Sequence, residues 1–153
     1  MSSIAIIIFA GGKGTRIKSV LNDTPKVLAP IGDKSLLEWI NLWINSWNLP
    51  IKKDLYLSTC IGHEQIEDFI RKKDLAFTCI KEPKPLGTFG ALAYVASNLK
   101  QEHILFMNGD TIFNINMREA LCDYLKNDNN PLLILKEETK NTRYGGFSKL
   151  PNN

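Results

Sequence analysis

Three cysteines and two histidines are few for a chain of 153 residues, and none of them stands in a recognisable ligand pattern. Cys60, Cys79 and Cys122 are widely spaced, odd in number and free of any Cys-x-x-Cys pair, which excludes a disulfide framework and a zinc finger. Each lies in or beside an apolar segment, so a buried structural thiol is the expected role. His63 and His103 have no second ligand at metal spacing, and surface or helix-start positions are expected for both. Long hydrophobic runs are missing too. The first apolar stretch, Ile4 to Phe9, stops at glycines and is too short for a membrane span or for a signal peptide's core and cleavage site. A cytoplasmic chain with no membrane partner is expected. Excess charge is also absent: 19 basic and 16 acidic residues leave a formal +3, and no cluster of Lys and Arg with interleaved aromatics marks a nucleic-acid surface. Repeats, low-complexity tracts and linkers are lacking, while 44% hydrophobic residues exclude disorder. The length suits a single domain over residues 1–153, burying roughly two thirds of its unfolded surface.

What is present begins with Ile4-Ala-Ile-Ile-Ile-Phe9 running into Ala10-Gly-Gly-Lys-Gly-Thr-Arg16. The apolar run is short and β-branched, as a central strand of a parallel sheet should be. Ligands of such sheets bind beyond the carboxyl ends of the strands. Gly11, Gly12 and Gly14 can take positive φ and turn backbone N–H groups towards an anion, and Arg16 adds fixed positive charge. The loop is neither a Walker A loop nor a Rossmann fingerprint: Ile7 and Gly14 break the first pattern and Ile17 the second.

Periodicity predicts alternating elements. Strands are expected near residues 4–9, 54–60, 76–81, 103–108 and 132–136, with a weaker one near 144–149, and helices near 35–48, 63–73, 88–99 and 117–127. Such alternation implies right-handed crossovers and a three-layer α/β/α domain around a mainly parallel, Rossmann-like sheet. Trp39, Trp43 and Trp47 recur every four residues on the first long helix, beside Leu36, Ile40 and Ile44. That stripe reads as core packing, with a subunit interface as the alternative.

Three further segments follow the glycine loop: Ser19-Val-Leu-Asn-Asp-Thr-Pro-Lys-Val-Leu-Ala-Pro30, Glu82-Pro-Lys-Pro-Leu-Gly-Thr-Phe-Gly-Ala91 and Asn108-Gly-Asp-Thr111. In this order the four segments resemble the sugar-1-phosphate nucleotidylyltransferases, and within them most closely the heptose-1-phosphate and mannose-1-phosphate guanylyltransferases. The long arm between Arg16 and Lys26 is similar to that of the sugar enzymes rather than of the molybdopterin-guanine dinucleotide enzymes. The resemblance covers nearly the whole chain. It implies the nucleotide-diphospho-sugar transferase fold and transfer of a nucleoside monophosphate from an NTP to a sugar 1-phosphate, giving an NDP-sugar for surface polysaccharide synthesis.

The resemblance also implies roles. Ala10, Gly11, Gly12, Lys13, Gly14 and Thr15 would wrap the triphosphate, with Arg16 and Lys26 holding phosphates around the reacting centre. Asp110, at a strand's carboxyl end, would share Mg²⁺ with phosphate oxygens; as a lone residue it also suits a turn or N-cap. Glu82 would read the base: guanine offers two adjacent donors to one carboxylate, whereas uracil and thymine offer one. Backbone groups around Gly87 are the other way to read it, and a thymidylyl or uridylyl transferase is the corresponding alternative. Gly87 and Thr88 open a helix whose N-terminus can face an anion. Asn108 and Gly145 would approach the sugar.

The family pattern is not matched throughout. Arg143-Tyr-Gly-Gly-Phe147 is similar to a family strand, but the later segment with the lysine that grips the sugar phosphate, and a second metal aspartate, have no counterpart up to Asn153. The expectation is a domain lacking the family's C-terminal portion, and hence two hypotheses: a guanylyltransferase, or a non-catalytic nucleotide-binding or scaffold protein derived from one. An exposed sheet edge predicts a homodimer or higher homo-oligomer in either case.

Overall fold

The computed structural model describes residues 3–12, 14, 18–127 and 130–134, with Lys18 described by its backbone alone. Four strands, β1 (Ser3–Phe9), β4 (Lys52–Thr59), β5 (Phe77–Lys81) and β6 (His103–Asn108), pair in parallel in the order β5-β4-β1-β6. Strand β1 is the hub. Its Ile6, Ile7 and Ile8 are wholly buried because helices cover both faces, and each such side chain contributes about 1.5–3 kcal/mol. The short elements α1 (Lys18–Leu21), a 3-10 turn over Lys26–Leu28 and the two-residue strands β2 (Pro30–Ile31) and β3 (Lys34–Ser35) fill the arm between β1 and the first long helix.

Alternation along β1 divides its side chains between two layers. Ile4, Ile6 and Ile8 join one apolar cluster with residues of α2 (Leu36–Asn45), α3 (His63–Lys73) and α5 (Met117–Lys126). Ala5 and Ile7 face the other way, where α4 (Gly87–Ala96) packs on β1 and β4 and buries Ala91 and Val95. A right-handed crossover requires this exchange of faces. The chain runs outward from β1 to β4 to β5, then returns through α4 to place β6 on the opposite side of β1. The strand order reverses there, and a crevice opens at the carboxyl ends of β1 and β6.

The sequence-based helices and the first four strands are present, each within a few residues of its expected bounds. The strand expected over 132–136 is not: residues 132–134 are irregular, and the rest of that span, with the strand near 144–149, lies outside the described residues. Pro131 has no N–H to give to a ladder, and Leu132, Leu133 and Ile134 instead line a hollow of about 330 Å³ with Ile104, Phe106 and Tyr124. The tryptophan stripe divides. Trp47 is buried, Trp43 stacks edge-on against it and against Phe113, and Trp39 lies near the surface, its Nε1–H donating to the Ile31 carbonyl at 2.9 Å. The three cysteines are free and half-buried rather than fully buried. Among the described residues no helix is long and apolar enough to cross a membrane.

Helix α2 begins in a reciprocal cap: the Ser35 hydroxyl accepts from the Glu38 N–H at 3.2 Å while Glu38 accepts from the Ser35 N–H at 2.8 Å. Lys53 donates to the Ile44 carbonyl at its other end. Glu38 also pairs with Lys73 at 3.1 Å, tying α2 to α3. The Ser35 N–H, then the Ser35 hydroxyl and Lys73, hold the Glu38 carboxyl at about 2 against an ordinary 4.5. A depressed carboxyl stabilises the fold above its unfolded value and loses that contribution as pH falls through the folded one. The stability difference between the native chain and Glu38→Gln should therefore be constant above pH 4.5 and shrink towards pH 2, as read from urea midpoints across that range.

Candidate active site

A crevice of about 490 Å³ lies at the switch between β1 and β6. Phe9, Ala10, Gly11, Gly12 and Gly14 come from β1 and the loop after it, Asn108, Gly109 and Asp110 from the end of β6, Lys26 and Val27 from the 3-10 turn, Glu82 and Pro85 from the β5–α4 connection, and Gly87 and Thr88 from the first turn of α4. Segments far apart in sequence thus meet on one surface. The parallel ladder does this: β1 pairs residue by residue with both neighbours up to Phe9, opposite Ser58 on one side and Asn108 on the other. Two bonds carry the pairing past the strand ends, Ala10 N–H to the Ser58 carbonyl at 2.8 Å and Gly109 N–H to the Phe9 carbonyl at 3.1 Å.

Lys26 and Asp110 close the crevice floor with an ion pair, Nζ to Oδ2 at 2.5 Å, between side chains that remain about two fifths exposed. The Lys26 hydrogen bond, reinforced by its charge and by the Thr111 hydroxyl on Oδ1, holds the Asp110 carboxyl below its usual range against the opposing effect of burial. Lys26 owes its position to a braced turn. Gly62, with φ of +75°, lies so close to Pro25 that a β-carbon there would stand 2.5 Å from Pro25 Cγ.

Glu82 has a different setting. It is 6% exposed, and its carboxylate accepts from the Ser58 hydroxyl at 2.8 Å and from the Leu86 N–H at 3.2 Å. A β-carbon on Gly11 would meet Glu82 Oε1 at 2.9 Å and the Cys60 nitrogen at 3.0 Å. Gly11 is therefore small because the loop lies directly on the buried carboxylate. Gly12 and Gly14 have open space where a side chain would go, and Gly14 has φ of +57°, the conformation that turns backbone N–H groups outward. Helix α4 starts at Gly87, with φ of +71° and no side-chain cap on its first turn.

Of the residues singled out in the sequence, Ala10, Gly11, Gly12, Gly14, Lys26, Glu82, Gly87, Thr88, Asn108 and Asp110 all line this crevice. Lys13, Thr15, Arg16 and Gly145 lie outside the described residues. The sequence reading missed Ser58, which is wholly buried and holds Glu82. A small hydroxyl at the polar end of the run Leu55-Tyr-Leu-Ser-Thr59 was its one signal. Gly109 was missed as a close-packing residue: a β-carbon there would lie 2.5 Å from the Phe9 carbonyl oxygen.

Residues 5–148 match the family described as Nucleotidyl transferase. The chain is 32% identical over 141 residues to the D-glycero-alpha-D-manno-heptose 1-phosphate guanylyltransferase of Aneurinibacillus thermoaerophilus, covering 91% of this chain and 60% of that protein. It is 34% identical over 142 residues to the protein of the same name from Campylobacter jejuni, again covering 91% and 60%. It therefore spans about 60% of the length of these relatives. The crystal structure of HddC from Yersinia pseudotuberculosis complexed with GMP-PN superposes with a TM-score of 0.68 at 27% identity, over 79% of this chain and 54% of that one.

The ion pair generates a direct test. With Lys26→Met the Asp110 carboxyl should titrate at higher pH than in the native chain, because the largest influence lowering it is gone and burial is left to raise it. Carboxyl ¹³C NMR titration reads this, and an unchanged Asp110 midpoint would contradict the pairing.

Proposed function

Because the chain belongs to the Nucleotidyl transferase family, we propose that it transfers GMP from GTP to a sugar 1-phosphate of the heptose or mannose class, releasing pyrophosphate. One observation carries this reading: Lys26 and Asp110, 84 positions apart, meet in a crevice whose other walls are the glycine loop and the turn before α4. In the reaction a phosphate oxygen of the sugar attacks the α-phosphorus of the nucleotide, and the bond from that phosphorus to the pyrophosphate oxygen breaks. Such a step is accelerated by holding two polyanions in line and balancing charge on the departing pyrophosphate. Gly12, Gly14, Lys13 and Thr15 receive the triphosphate, and Arg16 and Lys26 supply cationic donors to its phosphates. The uncapped first turn of α4, with Gly87 and Thr88, offers further N–H groups to an anion.

Glu82 is the residue we assign to the base. A carboxylate has about four acceptor sites, and Ser58 and Leu86 take two of them while fixing its orientation. The remaining sites suit the paired N1–H and N2–H₂ donors of guanine, and the relatives named as guanylyltransferases support the same base. Asp110 fits Mg²⁺ by its donor chemistry: a hard, part-exposed carboxylate that already draws a cation, the Lys26 ammonium. Asp110 would hold the ion, which would supply positive charge to balance that of the phosphate oxygens. Asn108 and Gly145 belong to the acceptor side. The product is an activated sugar of the kind used for surface polysaccharide, made in the cytoplasm by an associated chain whose sheet edges, among the described residues, are β5 and β6.

Pyrophosphate release with GTP, dTTP, UTP and CTP against a panel of sugar 1-phosphates tests the proposal. Release should be fastest with GTP and a heptose or mannose 1-phosphate, and Lys26→Ala or Asp110→Ala should lower kcat by about 10²–10³. Preference for dTTP or UTP would overturn the assignment of Glu82 to guanine. GTP binding without turnover on any acceptor would overturn the transferase reading and favour a nucleotide-binding or scaffold role.

A further inference from the structure

Away from the crevice, α3 and β5 bring together His63, Glu67 and Cys79, whose Nε2 or Nδ1, carboxylate oxygen and Sγ all lie within 4.8 Å of one another. The first two are one helical turn apart, and the third arrives from the neighbouring strand. We propose that these three side chains bind a divalent cation of the zinc class.

The hydrogen bonding behind His63 supports this. Its side chain is 11% exposed, and Nδ1 lies 2.8 Å from the Thr59 hydroxyl oxygen, which is also 3.3 Å from the Ile80 carbonyl. When Thr59 gives its one proton to Ile80, its oxygen accepts from Nδ1–H and the Nε2 lone pair faces Glu67 Oε2 at 3.4 Å, where a cation can bridge the two. A ring held through its other nitrogen by a protein oxygen is the usual setting of a metal-binding histidine.

The His63–Glu67 spacing agrees. Nitrogen and oxygen ligands at roughly 2.0–2.1 Å from a tetrahedral ion stand about 3.3–3.4 Å apart, the separation found here. Zinc accepts this mixture of imidazole, carboxylate and thiolate, and three protein ligands leave a fourth position for water. Lys81, also on β5, is engaged by Glu64 at 2.6 Å. On binding, the metal–sulfur bond forms as the thiol proton leaves to solvent, and the exposed Glu67 provides the way in.

The probe is Co²⁺, followed by Zn²⁺, added to the chelator-treated chain. A thiolate-to-cobalt charge-transfer band should appear at one equivalent and be abolished by one equivalent of Zn²⁺. Cys79→Ser should remove the band, Glu67→Gln should weaken Zn²⁺ binding about tenfold or more, and Cys60→Ser with Cys122→Ser should leave both unchanged. Glu67 is surface-exposed, so its variant reports even if changes at buried His63 unfold the chain, with circular dichroism as the check. Absence of the band in the native chain, its persistence in Cys79→Ser, or its loss in Cys60→Ser with Cys122→Ser would overturn the site.

Discussion

The carbonyl oxygen of Phe9 accepts the Gly109 N–H at 3.1 Å, and a methyl group on Gly109 would lie 2.5 Å from that same oxygen. This contact is the point on which the crevice depends. It keeps the end of β6 against the end of β1 one residue beyond the ladder, so that Asp110 leaves the sheet beside the glycine loop. The reversal of strand order around β1 does the rest, because loops on the two sides of a switch point diverge and leave space between them. A side chain at 109 would force either the β6 carboxyl end or the β1 loop to move, and Asp110 would move with it.

A second constraint acts from the other side. Glu82 is buried under Gly11 and tied to Ser58 of β4 and to the backbone at Leu86, so the glycine loop, the β5–α4 turn and the central sheet share one carboxylate. Pro25 rests on Gly62 at the start of α3, which positions Lys26 without a regular element of any length. The crevice is thus preorganised by glycines at points of close approach, while its charged partners, Lys26 and Asp110, stay partly in solvent.

Most of the sheet was legible because β1 is apolar on both faces, which in a short β-branched run means a strand covered twice. The helices were legible from their spacing, whereas the Ser35-to-Glu38 cap of α2 emerged only in the structure. The arm from 18 to 35 was not, since elements of two to four residues carry no periodicity, and its hairpin turns on Gly32 at φ of +66° rather than on an apolar pattern. The apolar run at 132–134 misled for the opposite reason: hydrophobicity was present but the ladder was not, and those side chains serve the hollow beside β6 and α5. At the site, resemblance and spacing found the lining residues but not the packing that holds them. Ser58 and Gly109 act on neighbours distant in sequence, and Cys79 meets His63 across the α3–β5 packing, where sequence spacing is silent.

If the four separated segments form one nucleotide-binding surface, as proposed, they should respond to nucleotide together. Backbone NMR of the chain titrated with GTP and Mg²⁺ tests it most directly. The largest shifts should cluster at Gly11, Gly12, Gly14, Lys26, Glu82, Gly87, Thr88 and Asp110, with α5 unaffected. Shifts confined to one of these segments, or centred on the hollow between β6 and α5, would contradict it.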